Sequence, residues 1–265
     1  MNKPAILTGL LALLILAGGC STVPITGRRQ MKIVSDSMMI EQSAVSYREV
    51  ITAGPLSSNV RQTEEIRRVG LRISAAVERY MAENNESALI RDFAWEFNLI
   101  DKDEPNAWCM PGGKVAFYTG ILPFTQNEAG IAVVMGHEIA HAVVGHGAER
   151  VSHQLIQQGG GLLLARFTKD SDYHEAIMQV YGIGSELGAI LPYSRLHESE
   201  ADRLGLIFMA MAGYDPHEAV GFWSRMAAAG GAKPPEFLST HPSDQTRIRE
   251  LNSHMDEAMQ YYRTR

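Results

Sequence analysis

The sequence predicts an α+β fold that is mainly helical and has one small antiparallel sheet. Several long stretches repeat apolar residues every three or four positions, which is the period of a helix with one buried face. Between residues 93 and 119, short runs alternate apolar and polar residues and are separated by turns, which indicates strands. The helix predicted directly after these strands is apolar on almost every side, so we expect it to lie in the core beside the sheet.

The composition is that of a globular protein with one sizeable core. The chain has 265 residues, of which 45% are hydrophobic and 20% are charged. Its net charge of -6 and the absence of any basic run argue against a nucleic-acid partner. With only two cysteines, Cys20 and Cys109, there is no disulfide framework. We interpret Cys109 as a small buried apolar residue.

The first residues have the pattern of a secretory signal. Lys3 precedes an apolar run from Ala5 to Ala17, which is shorter than the roughly 20 residues that span a bilayer. Small residues then lead to Cys20, and this arrangement is similar to a bacterial lipoprotein signal, although Ala17 stands where leucine is usual. In such proteins the signal is cut before the cysteine, which is then lipidated. A cleaved signal without a lipid and a retained membrane anchor are the alternatives.

These patterns predict three segments. Residues 1–19 form a lipoprotein-type signal peptide, residues 20–33 form the lipidated cysteine and a tether or docking segment, and residues 34–265 form one domain. The expected location is the bacterial cell envelope, with a lipid anchor in the outer membrane and the domain facing the periplasm. The acyl chains of a lipoprotein are sufficient for stable attachment.

Two amphipathic helices, from Asp36 to about Ile51 and from Asn59 to about Asn84, are expected to pack on the core. They are followed by a strand over residues 93–100 and by two short strands that flank a tight turn at residues 111–113. An edge of this sheet could bind an extended peptide by strand addition. The residues proposed to contact such a substrate are Asn106, Ala107, Val115 and Ala116. The alternative is that the sheet only packs against the core.

A metal site is indicated by the H-E-x-x-H motif formed by His137, Glu138 and His141. On a helix, residues four apart lie about 40° apart around the axis and about 6 Å apart along it, so both imidazoles can reach one ion. Zinc is the metal that this pair most often holds, and the glutamate can take a proton from water at the open position. Gly136 would allow another backbone, or the substrate, to come close. The alternative is a buried helix with two incidental histidines.

A third ligand is expected from a helix predicted to begin near Ser194. Glu198 and Asp202 are four residues apart and share one face of that helix. Glu198 can bind the zinc ion, while Asp202 can accept a hydrogen bond from the outer nitrogen of a zinc histidine. Glu200 points elsewhere and is expected to be solvated or paired with Arg203. The alternative is an exposed charged turn.

These motifs together resemble one peptidase family. The segments that carry the resemblance are Asn106-Ala107 to Gly113, Gly136 to His141, Ser194 to Asp202, and Thr240-His241-Pro242. They look like the gluzincin metallopeptidase family that includes the CAAX prenyl endopeptidase, HtpX, the mitochondrial inner-membrane quality-control protease and BepA.

The resemblance implies a zincin-like fold and an endopeptidase of the quality-control type. It implies one zinc ion on His137, His141 and Glu198, with Glu138 as the base that activates a zinc-bound water. The expected substrates are unfolded, misfolded or misassembled envelope proteins. After Cys20 there is no run of 18 or more apolar residues and no helical-repeat extension, so we expect a single domain on a lipid tether.

His241 and Arg247 are further candidates near the metal. In relatives of the BepA type, the matching histidine can occupy the fourth zinc position and close the site. Oxyanion stabilisation and a structural role before the last helix are alternatives for His241. Arg247 either pairs with an acid of the Glu198 helix or faces the substrate.

Two other functions compete with the peptidase. One is a chaperone or assembly factor whose zinc site is self-inhibited and mostly closed. The other is a lipoprotein without enzymatic activity, in which the H-E-x-x-H motif is a coincidence.

Overall fold

A computed structural model describes residues 20–23, 25–169, 171, 174–175, 177–179, 191–229, 237–238, 241 and 245–263. The predicted signal peptide, residues 1–19, lies outside these described residues. The chain divides into two compact units. The first comprises residues up to Met39 together with Gly145–Leu196, and the second comprises Ile40–Val144 together with His197–Arg265.

Helices account for most of the described chain, and the predicted α+β class is confirmed. The strands are β1 (Cys20–Thr22), β2 (Arg29–Met31), β3 (Glu96–Ile100), β4 (Ala107–Met110) and β5 (Lys114–Tyr118). The helices are α1 (Asp36–Ala53), α2 (Val60–Glu83), α3 (Leu122–Thr125), α4 (Glu128–Val143), α5 (His146–Thr168), α6 (Leu191–Met211), α7 (Glu218–Ala229) and α8 (Gln245–Met259). Short 3-10 turns cover Ser87–Ile90 and Thr119–Ile121.

The first unit contains a hairpin that packs on α5. Strands β1 and β2 pair antiparallel, and β2 contacts α5. Arg28 donates two hydrogen bonds, of 2.9 and 2.7 Å, to the carboxylate of Glu149, which is fully buried in α5. Gln30 adds a third bond to this carboxylate at 3.3 Å. The segment predicted as a tether or docking segment is therefore a hairpin that is held on α5 through the buried Glu149 carboxylate.

The second unit is built around a three-stranded sheet in the order β3-β5-β4. The sheet is mixed and not wholly antiparallel as predicted, since β5 is parallel to β3 and antiparallel to β4. The chain leaves β3 for the edge position of β4 and then turns back into the centre, so β5 runs in the same direction as β3. The Tyr47 hydroxyl from α1 donates to the Val115 carbonyl at 3.0 Å and holds this helix against the sheet.

The predicted helix α2 is confirmed and forms much of the core. Its N-cap is Asn59, whose side chain accepts a hydrogen bond from the Gln62 N–H. Its buried face includes Ile66, Ile73 and Val77, as the helical period of the sequence predicts. Among the described residues, no helix is both long enough and apolar enough to cross a membrane.

Candidate metal centre

Helix α4 carries the H-E-x-x-H motif through the core. Asn127 caps its first turn, because the Asn127 side chain accepts a hydrogen bond of 3.0 Å from the Gly130 N–H. His137 and His141 lie on the same face, and their Nε2 atoms are 3.1 Å apart. Both side chains are buried, as is Glu138 between them. The local geometry that the motif predicts is therefore present.

Helix α6 brings Glu198 to these histidines. One carboxylate oxygen lies 3.3 Å from His137 Nε2, and the other lies 3.3 Å from His141 Nε2. The helices α4 and α6 approach closely at two glycines, where a Cβ on Gly136 would lie 2.8 Å from the Gly205 carbonyl oxygen. The predicted close approach at Gly136 is confirmed, and its partner is the Gly205 backbone.

His241 completes a buried group of four possible ligands. The ligand atoms of His137, His141, Glu198 and His241 all lie within 4.8 Å of one another. His241 Nδ1 lies 3.1 Å from His137 Nε2 and 2.9 Å from a Glu198 oxygen. The other nitrogen of His241 lies 3.4 Å from Glu138. The sequence singled out His241 but left its position open, and the structure places it among the ligand atoms.

Asp202 and Arg247 contact the candidate ligands His137 and Glu198. An Asp202 oxygen lies 2.9 Å from His137 Nδ1, as predicted from the four-residue spacing to Glu198. Arg247 donates to the same Asp202 oxygen at 2.6 Å and lies 3.2 Å from Glu198. The alternative that Arg247 pairs with acids of α6 is thus the one observed.

Trp223 on α7 is a contact that sequence reasoning missed. The Arg247 guanidinium lies over the Trp223 ring, 3.3 Å from its centroid, and His137 meets the same ring edge-on at 5.6 Å. The ring therefore positions an arginine and a ligand histidine at once. Nothing in the local sequence pattern around Trp223 shows which distant side chains it contacts.

Two charged residues of α6, Glu200 and Arg203, differ from expectation. Glu200 is buried, with 7% of its surface exposed, and is not solvated as predicted. Arg203 is bound to Glu257 of α8 through two hydrogen bonds of 2.8 and 2.7 Å. The hydrogen-bonded partner of Arg203 is therefore Glu257, whose carboxylate matches two guanidinium nitrogens, and Glu200 adds only a weaker charge interaction that raises the pKa of Arg203.

The pKa values of the two α4 histidines are shifted in opposite directions. Burial lowers the pKa of His137, but hydrogen bonds to Asp202 and Glu198 outweigh it and raise the pKa to about 9. Burial dominates at His141 and lowers its pKa to about 3. Burial also disfavours ionised Glu198, yet the surrounding histidines hold the pKa of this carboxyl well below its usual range. A metal ion bound by His137 therefore competes with a proton for the same lone pair.

The donor set fits a divalent zinc ion. When His137 is neutral, its hydrogen lies on Nδ1 toward Asp202, and Nε2 presents a lone pair to the ligand atoms of His141 and Glu198. Lone pairs about 3.1 Å apart repel unless a proton or a cation lies among them. The three described acids in contact with the centre, Glu138, Glu198 and Asp202, and the one guanidinium of Arg247 leave two negative charges. A divalent ion balances them.

Removing the Asp202 carboxylate is expected to weaken zinc binding. Asp202→Ala leaves His137 Nδ1 and Arg247 without their shared acceptor. Loss of such a partner typically reduces metal affinity roughly 10- to 100-fold. A competition titration against a chromogenic chelator measures this change. Asp202→Asn keeps an acceptor and should lose less affinity, whereas an unchanged affinity in folded Asp202→Ala would contradict the assignment.

Strand β4 lies next to α4 and forms an edge of the sheet, as far as the described residues extend. It carries Ala107, with Asn106 directly before it, so these two substrate candidates lie at an edge. Val115 and Ala116 do not, because β5 is hydrogen-bonded on both sides and both residues are fully buried. The prediction that Val115 and Ala116 contact a substrate is therefore wrong, and both are core residues of the sheet.

Cys109 on the same strand is not an activated nucleophile. Burial, followed by the charge of Glu138, raises the pKa of its thiol well above the ordinary value. The thiol therefore stays protonated near neutral pH. A protonated thiol agrees with the interpretation of Cys109 as a small buried apolar residue, although its side chain is partly and not fully buried.

Residues 64–255 match the family model described as peptidase family M48. The chain belongs to peptidase family M48.

Three relatives illustrate the match. The chain is 34% identical over 238 residues to the mitochondrial metalloendopeptidase OMA1 of Schizosaccharomyces pombe, covering 89% of this chain and 66% of the relative. It is 29% identical over 244 residues to human OMA1, covering 89% and 46%. It is 26% identical over 250 residues to the β-barrel assembly-enhancing protease of Escherichia coli, covering 91% and 48%.

Membership of family M48 confirms the predicted family, its metallopeptidase class and zinc as the metal, which the four-residue cluster also fits. This M48 chain spans about two thirds or less of each relative's length.

Proposed function

We propose that this M48 chain is a zinc-dependent endopeptidase that hydrolyses peptide bonds in unfolded or misassembled proteins. The single observation that carries the proposal is the position of Glu138. It is buried between two ligand histidines, and it faces the ligand cluster without belonging to it. A carboxylate placed beside a metal's ligands, but not among them, suits a general base.

The chain's own residues supply the proton transfers and the orientation of the reacting groups. Glu138 accepts a proton from the attacking water and returns it to the leaving amine. Asp202 fixes the tautomer of His137, and Arg247 holds Asp202 and Glu198 in place. Zinc, when bound by His137, His141 and Glu198, supplies a Lewis acid that polarises the carbonyl and acidifies water.

Strand β4 is the proposed substrate platform. Its edge lies beside α4, and an extended peptide added there would run next to the metal ligands. Backbone hydrogen bonds do not depend on side-chain identity, so this mode suits unfolded chains of varied sequence. Ala107 is on this strand, and the Asn106 side-chain oxygen accepts a bond of 2.9 Å from its N–H. The Asn106 carbonyl accepts from the Tyr118 N–H of β5, so it belongs to the sheet and is not offered to a substrate.

Metal removal tests the peptidase proposal. Dialysis against a chelator should abolish cleavage of unfolded casein, and one equivalent of zinc should restore it. His137→Ala should bind less than one equivalent and remain inactive after zinc is added. Chelator-resistant cleavage by the purified chain, or no cleavage at any zinc concentration from either wild type or His241→Ala, would reject the proposal.

The described conformation is proposed to be a closed form. His241 lies in contact with two of the ligand side chains, where it competes with water for the open coordination position. His241→Ala is expected to keep one zinc and to raise the rate of casein cleavage several-fold. Zinc analysis and initial rates measure both quantities. A fall in rate with zinc retained would instead assign His241 to oxyanion stabilisation.

A second function is favoured by the same contact. If His241 stays in place in the cell, the chain acts as a chaperone or assembly factor with a zinc site that is mostly closed. Suppression of aggregation of an unfolded protein at equal strength by wild type and Glu138→Gln, without cleavage by either, would support this function over the peptidase.

We further propose a lipid anchor at Cys20 and a place in the bacterial envelope, on the outer membrane facing the periplasm. The lipoprotein-like start of the sequence and the docked hairpin that begins at Cys20 support this. The Escherichia coli relative is named for the assembly of β-barrels, whereas the OMA1 relatives are named as mitochondrial. Metabolic labelling with a fatty acid should mark wild type and leave Cys20→Ser unlabelled. Labelling of Cys20→Ser would overturn the anchor.

A further inference from the structure

We propose that the outer face of helix α5 lies on an anionic lipid bilayer. Four large apolar side chains on this helix are exposed, and together they are called the α5 stripe. They are Leu155 (49% exposed), Leu162 (74%), Leu163 (56%) and Phe167 (83%). Side chains of this size are usually buried, and such a group on one helix marks a contact surface.

The spacing places the stripe on one side of α5. Leu155 and Leu162 are seven residues apart, which is about two turns, and Leu163 and Phe167 are four apart. Gly159 lies one turn after Leu155, and a Cβ built there would meet no atom within 4 Å. The surface around the stripe is therefore open along about three turns, which is the form of a helix that lies in a membrane interface.

The charges on this side are complementary to acidic lipid headgroups. Arg166 and Lys169 are exposed and follow Leu162 by four and seven residues, so they lie on its side of the helix. After the buried Glu149, α5 contains no acid. The next acids, Asp170 and Asp172, come after the helix ends. The chain as a whole has a net charge of -6, so this local excess of positive charge is a feature of the stripe. It attracts an anionic lipid surface, whereas two copies meeting at the same stripe would bring like charges together.

The hairpin links the proposed lipid attachment site to α5, which favours a membrane over another partner. Strand β1 begins at Cys20, and the hairpin is fixed to α5 by the bidentate bond between Arg28 and Glu149. Acyl chains on Cys20 would therefore be attached to a segment that is already packed on this helix. This step rests on the lipidation proposed above. The stripe and its basic residues are independent of it.

A tryptophan placed in the stripe tests the proposal. Phe167→Trp in the full chain should show a blue-shifted emission on phosphatidylglycerol vesicles, and brominated acyl chains should quench it. The shift should be smaller on phosphatidylcholine vesicles. The matched control is Leu71→Trp, at a 62% exposed position on α2, whose emission should not change. Wild type corrects for the three native tryptophans.

Three outcomes would overturn the proposal. One is an unchanged Phe167→Trp emission on anionic vesicles. A second is equal quenching at Leu71→Trp. A third is a blue shift that needs no vesicles and grows with protein concentration, which would make the stripe a contact between copies of the chain. Casein cleavage in solution does not involve the stripe, so a failure here is distinguishable from a failure of the peptidase proposal.

Discussion

Glu138→Gln is expected to lower the rate of peptide hydrolysis roughly 100- to 10,000-fold while zinc stays bound. A positioned general base contributes about this factor, and an amide cannot accept the proton. Glutamine has nearly the same shape as glutamate, so it fills the buried space beside His137 and His141 without disturbing the ligands. The loss should appear in the turnover rate and not in zinc content. Cleavage of fluorogenic casein and metal analysis of the same samples measure the two quantities.

Glu128→Gln is the matched control for this change. Glu128 is on the same helix, in its first turn, and pairs with Arg68 at the surface. Its replacement removes the ion pairs with Arg68 and Arg72, which contribute little because they are exposed to solvent, and leaves the centre untouched. Near wild-type activity in Glu138→Gln would mean that another group takes the proton. Loss of zinc in Glu138→Gln, but not in Glu128→Gln, would make Glu138 a structural residue of the cluster.

The centre could be predicted from sequence where its geometry is local. The pairs His137–His141 and Glu198–Asp202 each span four residues, and one helical turn fixes which side chains share a face. Both predictions of relative position agree with the structure, since the histidine nitrogens are 3.1 Å apart and Asp202 reaches His137. Local sequence patterns also predicted α2 and α4, because helical period and apolar character are properties of neighbouring residues.

Contacts between distant segments could not be predicted in this way. Trp223 and Arg247 meet each other and His137 from three separate helices, and no spacing along the chain encodes that meeting. The order of the sheet was missed for a similar reason. Alternation shows that β3, β4 and β5 are strands, but the crossover that makes β3 and β5 parallel is set by packing of the whole unit. Thus Val115 and Ala116 were assigned to an edge that belongs to Ala107.

Gly136 combines a feature that the sequence predicts with a distant contact that it does not. Its partner in that contact, Gly205, is the site of a second substitution with a large expected effect. The sequence showed that a glycine beside His137 permits a close approach, but not that Gly205 is what approaches. A Cβ on Gly205 would lie 2.9 Å from the His137 backbone nitrogen and 3.1 Å from the Gly136 carbonyl carbon. These neighbours are backbone atoms inside a helix and cannot move aside alone. An alanine at this position must therefore push α6 away from α4.

Gly205→Ala is thus expected to reduce zinc affinity at least about tenfold and to lower stability by roughly 1–3 kcal/mol. The reason for the affinity loss is that Glu198 is on α6 and the histidines are on α4, while zinc tolerates distance errors of only about 0.2 Å. Chelator competition and thermal unfolding with and without zinc measure the two effects. Gly159→Ala is the matched control, because its Cβ meets nothing within 4 Å and alanine favours the helix. If Gly205→Ala binds zinc as tightly as Gly159→Ala, the glycine contact does not set the distance between the two ligand helices, and the position of Glu198 must be fixed elsewhere, with Arg247 as the next residue to test.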